Sequence, residues 1–306
     1  MPFQIVKKDI NDMPVDAIVR ILDPEQDLWR MGSIEVGNAA IVPTFQRNAA
    51  YVIHAAAPHW LDGRHDEERL LRSCYARALA LALEKGCRSV AFPPASGVPK
   101  DQALQAAISA ISAFLQEQEM QIYLVAERDS CQLSDTLFRH VAGYIDDHYV
   151  ERKGFLNANR HRPMMAMCES SASPEAAPMV AAKAMSLEEL LKNADAGFTE
   201  TLLKLIDQTG RKDSEIYKKA NLSKQHFSKI RNNPDYRPTK QTAIALALAL
   251  ELSLEETRDL IGRAGYALTN SSKFDLIIRY FIEQGNYNVV EINVALYEFD
   301  QPLLGQ

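Results

Sequence analysis

The sequence has few cysteines and no long hydrophobic stretch. Its four cysteines (Cys74, Cys87, Cys131 and Cys168) are scattered without a C-x-x-C pair, which argues against a disulfide scaffold and against a structural zinc site. The longest apolar run covers residues 243–250, far short of the roughly 20 residues that a membrane span needs. Because the first ten residues also lack the apolar core of a signal peptide, we expect a cytoplasmic protein with free thiols.

Positive charge is also scarce over most of the chain. The 306 residues carry a formal net charge of −6, which discourages nucleic-acid binding because phosphates repel an acidic surface. Residues 211–240 are the exception, since nine lysines and arginines accompany three acids there. The local charge is +6, and the rest of the chain carries −12. A basic segment in an acidic chain indicates that the positive charge is collected on one surface.

Length and composition favour two globular domains, because one domain takes about 150 residues. In residues 3–149, short runs rich in Val, Ile, Tyr and Phe alternate with helical patterns. The runs cover residues 2–6, 16–22, 49–56, 89–94 and 121–127, and the helical patterns cover 67–85, 101–117 and 134–148. The buried stripe predicted for the first helix is Leu70, Leu71, Cys74, Ala78, Leu81 and Ala82. This alternation predicts a mixed or parallel sheet flanked by helices.

Several sequence blocks in this region resemble the macro domain family. They are FQIVKKDI, VDAIV, AAYVIHAAAPHW, the helix that starts EERLLRSC, VAFP and PKDQA, in that order. The resemblance implies an α/β fold with a mixed sheet flanked by helices, which binds ADP-ribose and in some members hydrolyses ADP-ribosyl or O-acetyl esters. It also implies that Asp9 and Ile10 contact adenine, and that Ser96, Gly97 and Val98 are the remnant of a phosphate loop.

The loops that process the ribose in this family are altered here. After VDAIV the family has Asn-Ala-Ala-Asn and a glycine-rich stretch, whereas this chain reads Arg-Ile-Leu-Asp at residues 20–23 and reaches the next matched element at Gly37. Such glycines let backbone N–H groups approach a pyrophosphate, and the asparagine positions the ribose and the attacking water. We therefore predict a degenerate module with no catalytic residue and at most weak nucleotide binding. In the alternative interpretation, Asp9 only caps a turn and residues 96–97 only form one.

Composition changes after the α/β region. Residues 156–184 hold three prolines among Ser and Ala without a hydrophobic period, which is typical of a linker. A capping box at Ser186 starts a region that is helical almost throughout. We predict a macro-like domain over 1–155, a linker over 156–184 and an all-α domain over 185–306, with the linker as a flexible tether.

Two short helices of the all-α region are similar to the helix-turn-helix of phage repressors, the XRE-like family. The pair covers residues 213–231, with a turn at Leu222 and Ser223 as the N-cap of the second helix. The resemblance implies that this second helix enters the major groove of DNA. The outward side chains predicted to contact DNA are Lys224, Gln225, His226, Ser228, Lys229 and Arg231. Glutamine can pair with adenine, while lysine and arginine suit guanine or phosphate.

The sequence as a whole predicts a non-enzymatic two-domain sensor or regulator. A macro-like module with weak nucleotide binding is joined to a helix-turn-helix module that binds double-stranded DNA. Two alternatives stay open: a hydrolase of ADP-ribosyl or O-acetyl-ADP-ribose esters, and a protein-interaction adaptor without DNA binding. The predicted partners are an ADP-ribose-like nucleotide and DNA, with no membrane, metal or cofactor, and the oligomeric state is not indicated.

Overall fold

The structure is a computed structural model that describes residues 2–23, 34–44, 48–126, 135–149 and 197–305. The strands in these ranges are β1 (Phe3–Lys7), β2 (Ala17–Leu22), β3 (Ala39–Pro43), β4 (Tyr51–Ala56), β5 (Ser89–Phe92) and β6 (Gln121–Ala126). The helices are α1 (Glu67–Glu84), α2 (Lys100–Glu117), α3 (Asp135–His148), α4 (Phe198–Thr209), α5 (Asp213–Lys219), α6 (Lys224–Asn232), α7 (Lys240–Ala249), α8 (Leu254–Arg263), α9 (Lys273–Glu283) and α10 (Val289–Glu298). The linker predicted at 156–184 and the capping box predicted at Ser186 lie outside the described residues.

The strands form one mixed sheet in the order β1-β6-β5-β2-β4-β3. Neighbouring strands are parallel, except that β3 runs antiparallel to β4 at the edge. All five predicted strands are present, and the predicted mixed sheet with flanking helices is confirmed. The sequence pattern did not reveal β3, a short edge strand ending at Pro43. Proline lacks an N–H group and is tolerated in strands chiefly at such edges.

The central strand β2 carries apolar side chains on both faces of the sheet. Ala17 and Val19 face the core that α1 and α2 close, and Ile18 faces a smaller cluster on the opposite side. All three side chains are fully buried. A continuous apolar run is typical of parallel strands that are covered on both faces.

Helix α1 buries a wider face than the predicted stripe. Tyr75 and Leu79 are fully buried although they lie beside that stripe, because α1 packs against both α2 and the strands β3 and β4. The Tyr75 hydroxyl accepts a hydrogen bond from the Ala95 N–H at 3.0 Å. Leu70, which was predicted to be buried, is half-buried and covers the turn at Gly37. A Cβ at Gly37 would lie 2.9 Å from Leu70 Cδ2, and the φ of +89° there also favours glycine.

The helices after residue 197 surround a second core. As predicted, Ser223 caps α6 by accepting from the His226 N–H at 3.1 Å. In addition, Ser253 with Glu256 forms a capping box at α8. Residues 242–249 of α7 are all buried, so this helix forms the centre of the core. Although α7 is strongly apolar it is 10 residues long, and none of the helices described could cross a membrane.

Helix α3 follows the sheet in the chain but packs with the C-terminal helices. Its Val141 and Ile145 are buried in the second core, and its main neighbour is α9. We therefore call the sheet with α1 and α2 the N-terminal module, and α3 to α10 the C-terminal module. The predicted domain boundary at residue 155 is outside the described residues and stays a prediction.

The two modules contact each other directly. Val290 and Val294 of α10 are buried in the core of the N-terminal module. The Tyr217 hydroxyl donates to Glu119 Oε1 at 2.8 Å, and the Lys218 ammonium donates to two backbone carbonyls at the end of α2. Independent motion of the two modules would break these contacts, and the flexible tether predicted at 156–184 lies outside the described residues and stays a prediction.

Candidate functional site

A small cleft opens at the carboxyl ends of β1, β2 and β5. It has a volume of about 370 Å³ and is lined by Ile10, Asn11, Arg20, Leu22 and Pro93, among others. In open α/β sheets, ligands bind at the carboxyl ends of strands, so this is where a ligand of the sheet is expected. We refer to this space as the cleft.

Asp9 directly precedes the cleft residues Ile10 and Asn11, and its carboxylate already has partners. The side chain is exposed, and its Oδ1 accepts from the Asn11 backbone N–H at 2.8 Å and from the Asn11 side-chain amide at 2.9 Å. Asp9 thereby caps the short 3-10 helix Ile10–Asp12. This geometry agrees with the turn-capping interpretation. Ile10, which the resemblance predicts to contact adenine together with Asp9, lines the cleft.

Arg20 is the charged wall of the cleft. Its Nη2 donates to Asn11 Oδ1 at 3.3 Å, so the guanidinium lies across the cleft from β2 toward the corner after β1. A guanidinium has five donors and no acceptor, and it does not lose its proton in proteins. Arg20 can therefore bind an anion but cannot act as a general base.

The predicted phosphate-loop remnant forms a tight turn beside a carboxylate. Ser96 and Gly97 are exposed in this turn, and Val98 is partly buried against the core. Gly97 has a φ of +75°, and a Cβ there would lie 2.9 Å from Asp23 Oδ2. The Asp23 carboxylate thus lies against the backbone that a phosphate would approach, and it would repel that phosphate.

The turn between α5 and α6 is fixed by Asn221. This residue has a φ of 56° and is 2% exposed. Its Oδ1 accepts from the Phe3 N–H at 2.9 Å, and its Nδ2 donates to the Phe3 carbonyl at 3.0 Å. The turn of the helical pair is therefore bonded to the outer edge of β1 in the N-terminal module.

Helix α6 presents most of the predicted side chains to solvent. Lys224, Gln225, Ser228, Lys229 and Arg231 are exposed, whereas the opposite face of the helix is buried in the core. The outward positions predicted for these five residues are confirmed.

His226 differs from this prediction. It is half-buried, and its Nε2 lies 2.9 Å from the Tyr236 hydroxyl. Burial, with a contribution from the nearby Lys229 ammonium, lowers the pKa of His226 below its usual 6.5. The ring is therefore neutral at pH 7 and packs under the exposed face.

Tertiary contacts reduce the positive charge counted along the sequence. Glu251, which lies outside residues 211–240, binds both Arg211 (3.1 Å) and Lys219 (2.7 Å). Within and beyond the segment, further ion pairs join Arg231 to Asp213 and Lys240 to Asp275. Among the described residues of this segment, five cations have no ion-pair partner: Lys212, Lys218, Lys224, Lys229 and Arg237. Lys224 and Lys229 both lie on the exposed face of α6.

Comparison with known proteins identifies the N-terminal module. The model of the macro domain family matches residues 20–107. A macro domain-containing protein of Listeria monocytogenes is 32% identical over 146 residues, which cover 39% of this chain and 83% of the relative. The chain belongs to the macro domain family.

Other relatives carry more specific names. An O-acetyl-ADP-ribose deacetylase of Salmonella typhimurium is 30% identical over 152 residues, covering 40% of this chain and 85% of that protein. The solved structure of an Oceanobacillus iheyensis macrodomain with ADP gives a TM-score of 0.37 at 23% identity, over 42% of this chain and 84% of that one. The family match lies within the N-terminal module, which we call the macro module from here on. The XRE-like assignment of residues 213–231 stays a prediction.

A group of potential metal ligands lies outside the cleft of the macro module. Atoms of Asp62, His65 and Glu67 come within 4.8 Å of one another. Glu67 is buried, and its carboxylate already accepts from the backbone N–H groups of Leu61 (3.2 Å) and His65 (2.7 Å). The Glu67 carboxylate therefore closes the loop at the start of α1 through hydrogen bonds from backbone N–H groups.

Two features of the site are not predicted by the sequence pattern. Asp23 is a departure from the family pattern, but its position against Gly97 depends on the folded loop. The sequence pattern predicts the turn at Leu222, whereas the left-handed turn residue is Asn221. Asparagine at a helix end is a known signal for the left-handed conformation, so the turn could have been assigned to it.

Proposed function

We propose that this chain is a DNA-binding regulator built on a macro module that no longer hydrolyses ADP-ribose derivatives. In this proposal α5 and α6 are a helix-turn-helix, and α6 contacts the major groove of double-stranded DNA. The macro module keeps weak binding of an ADP-ribose-like nucleotide around Asp9, Ile10 and residues 96–98. The observation that carries the proposal is the exposed polar and basic face of α6.

The chemistry of this face suits nucleic acid. Lys224 and Lys229 are exposed cations, and Gln225 offers both a donor and an acceptor for an adenine edge. Ser228 adds a small hydroxyl between them. Arg231 is exposed and paired with Asp213, and an exposed pair of this kind contributes about 0 to 1 kcal/mol. A phosphate can therefore replace Asp213 as the partner of Arg231.

The test is a titration of fluorescent duplexes, random and selected, at several salt concentrations. We expect affinity to fall steeply with salt, and the double variant Lys224→Ala/Lys229→Ala to bind all duplexes more weakly with a salt slope smaller by about two. Gln225→Ala is expected to cost roughly 1–3 kcal/mol on the selected site alone. The control is Lys204→Ala on α4, an exposed lysine paired with Glu200, which removes one positive charge away from α6 and is compared with the double variant per charge removed.

One outcome rejects DNA binding outright. If the wild-type protein binds no duplex at low salt, the basic face of α6 belongs to a protein-interaction adaptor. Equal losses per charge removed in the Lys204→Ala control and in the α6 variant would show that only the overall charge matters.

A second candidate is a hydrolase of ADP-ribose esters. Its support is the cleft of about 370 Å³ together with the Salmonella relative named a deacetylase. Against it, Arg20 offers no base, and Asp23 lies where a phosphate would enter. Turnover of O-acetyl-ADP-ribose that is lost in Arg20→Ala would establish the enzyme. If nucleotide binds without turnover, Asp9→Ala is expected to weaken that binding.

A further inference from the structure

A cavity that is larger than the cleft lies between the two modules. Its lining residues differ from those of the cleft. Its volume is about 580 Å³, and its walls come from α2, the end of α5, the end of α7 and residues 285–290. Ligand sites in proteins usually measure about 300–1,000 Å³ and often lie between domains. We call this space the inter-module cavity.

The walls of the inter-module cavity combine apolar surface with a few polar groups. Leu115 of α2, Leu248 of α7 and Val290 of α10 supply the apolar part, and Tyr287 adds an aromatic side chain. The Asn221 turn also belongs to the lining. Such a mixed lining suits an organic molecule that has one strongly polar end.

The charge of the inter-module cavity is positive. Lys218 and Lys219 line it together with one carboxylate among the described lining residues, Glu251. Glu251 is bound by Lys219 at 2.7 Å and by Arg211 at 3.1 Å, so two cations share one carboxylate. Lys218 is directed to the Gln116 and Glu117 carbonyls at 3.1 and 2.9 Å, which are uncharged partners. The two lysines and the one carboxylate of the lining together leave a net positive charge, which an anion can neutralise.

We propose that the inter-module cavity binds a small organic phosphate. The phosphate contacts the Lys219 and Lys218 ammonium groups, and the organic part lies against Leu115, Leu248 and Tyr287. Because α2 belongs to one module and α5 to the other, the bound molecule joins the two modules. This site is independent of the DNA-binding proposal and of the cleft.

The experiment is calorimetric titration of the full chain with ADP, and with adenosine as the uncharged comparison. We expect ADP to bind and adenosine to bind at least tenfold more weakly. Lys219→Gln is expected to weaken ADP binding about tenfold, whereas Glu251→Gln, which removes the carboxylate, is expected to tighten it several-fold. Lys204→Ala is the control with an equal loss of charge outside the cavity, and its affinity is expected to be unchanged.

A second pair of variants distinguishes ADP binding in the inter-module cavity from ADP binding in the cleft. Arg20→Ala and Asp9→Ala alter the cleft and are expected to leave ADP binding at the cavity intact. Absence of ADP binding by the wild-type protein would overturn the proposal. ADP binding that is lost in Arg20→Ala and unaffected by Lys219→Gln would overturn it as well, because the ligand would then lie in the cleft. Circular dichroism of each variant checks that the fold is kept.

Discussion

Arg20 and Asp23 bring opposite charges to the carboxyl end of β2. Arg20 brings a permanent positive charge to the wall of the cleft, and Asp23 brings a carboxylate to the turn at Gly97. A ligand with a pyrophosphate would be attracted at one end and repelled at the turn. We therefore expect the Asp23 charge to oppose binding of a pyrophosphate at this turn.

Replacing Asp23 by Asn tests this repulsion. The amide keeps the size of the side chain and removes its charge, so we expect Asp23→Asn to bind ADP-ribose about tenfold more tightly, a change of about 1.4 kcal/mol. Calorimetric titration of both proteins measures the difference. Asp12→Asn, an exposed position outside the cleft lining, makes the same charge change as a control. Equal affinity of Asp23→Asn and wild type would show that Asp23 does not oppose the nucleotide.

Glu67 makes the stability of the macro module depend on pH. Burial acts to raise the pKa of its carboxyl, but hydrogen bonds from backbone N–H groups, including that of His65, outweigh burial and lower the pKa from 4.5 to about 2. In the unfolded chain the carboxyl keeps its ordinary pKa. The stabilisation is therefore complete above pH 4.5 and is lost as the pH falls toward 2.

We expect the variant Glu67→Gln to be less stable than wild type at pH 7 and to lose less stability between pH 5 and pH 2.5. Thermal melts followed by circular dichroism across this range give the comparison. Glu68→Gln is the matched control, because Glu68 is the next residue of the same helix turn and pairs with Arg72 at its surface. A parallel pH dependence of wild type and Glu67→Gln would contradict the assignment.

At the scale of elements, the α5–α6 turn acts as an extra partner for β1. Strand β1 pairs with β6 on one side, and on the other side Phe3 exchanges two hydrogen bonds with the Asn221 side chain. The left-handed backbone of Asn221 is what directs this side chain toward the strand. Gly305 also packs closely there, since a Cβ on it would lie 2.6 Å from the Asn221 carbonyl oxygen.

Asn221→Ala is expected to destabilise the protein by about 2 to 4 kcal/mol. The change removes two buried hydrogen bonds from Phe3 and places a Cβ residue without a local polar side chain in the left-handed region. Asn221→Gly relieves the backbone strain but does not restore the lost hydrogen bonds. Its stability is therefore expected to lie between those of wild type and Asn221→Ala. Urea denaturation measures all three proteins, with Asn232→Ala on the exposed side of α6 as the control. A loss below 0.5 kcal/mol in Asn221→Ala would refute the role of this contact.

Elements that depend on local sequence could be predicted, and those that depend on tertiary contacts could not. The five strands and the Ser223 and Ser253 caps follow from side-chain pattern and cap chemistry. β3 has few signals because it is an exposed edge strand. The pairing of Arg211 with Glu251 and the contact of His226 with Tyr236 depend on residues brought together by folding.

At the scale of the whole molecule, the two cores share a boundary. Helix α10 inserts Val294 into the core of the macro module, while its Ile292 and Leu296 belong to the helical core. Helix α3 similarly continues the chain from the sheet into the helical core. A helix that contributes side chains to both cores cannot unfold without exposing both, so the modules are expected to unfold together.

A core substitution in the helical module tests this cooperativity. The chain has two tryptophans, Trp29 and Trp60, and in a Trp29→Phe background Trp60 of the macro module is the one that remains. Its fluorescence then follows the macro module, while circular dichroism at 222 nm follows mainly the helices. Leu276→Ala in α9 removes a fully buried side chain of the helical core and is expected to cost about 2 to 5 kcal/mol. If the modules unfold as one unit, both signals shift by the same amount of urea, because the macro module loses the support of α10 when the helices unfold. Leu83→Ala, at a position 39% exposed on α1, is the control and is expected to shift neither signal appreciably. Unchanged tryptophan fluorescence alongside an early loss of the helical signal would mean that the macro module is stable without the helices packed against β1 and α2.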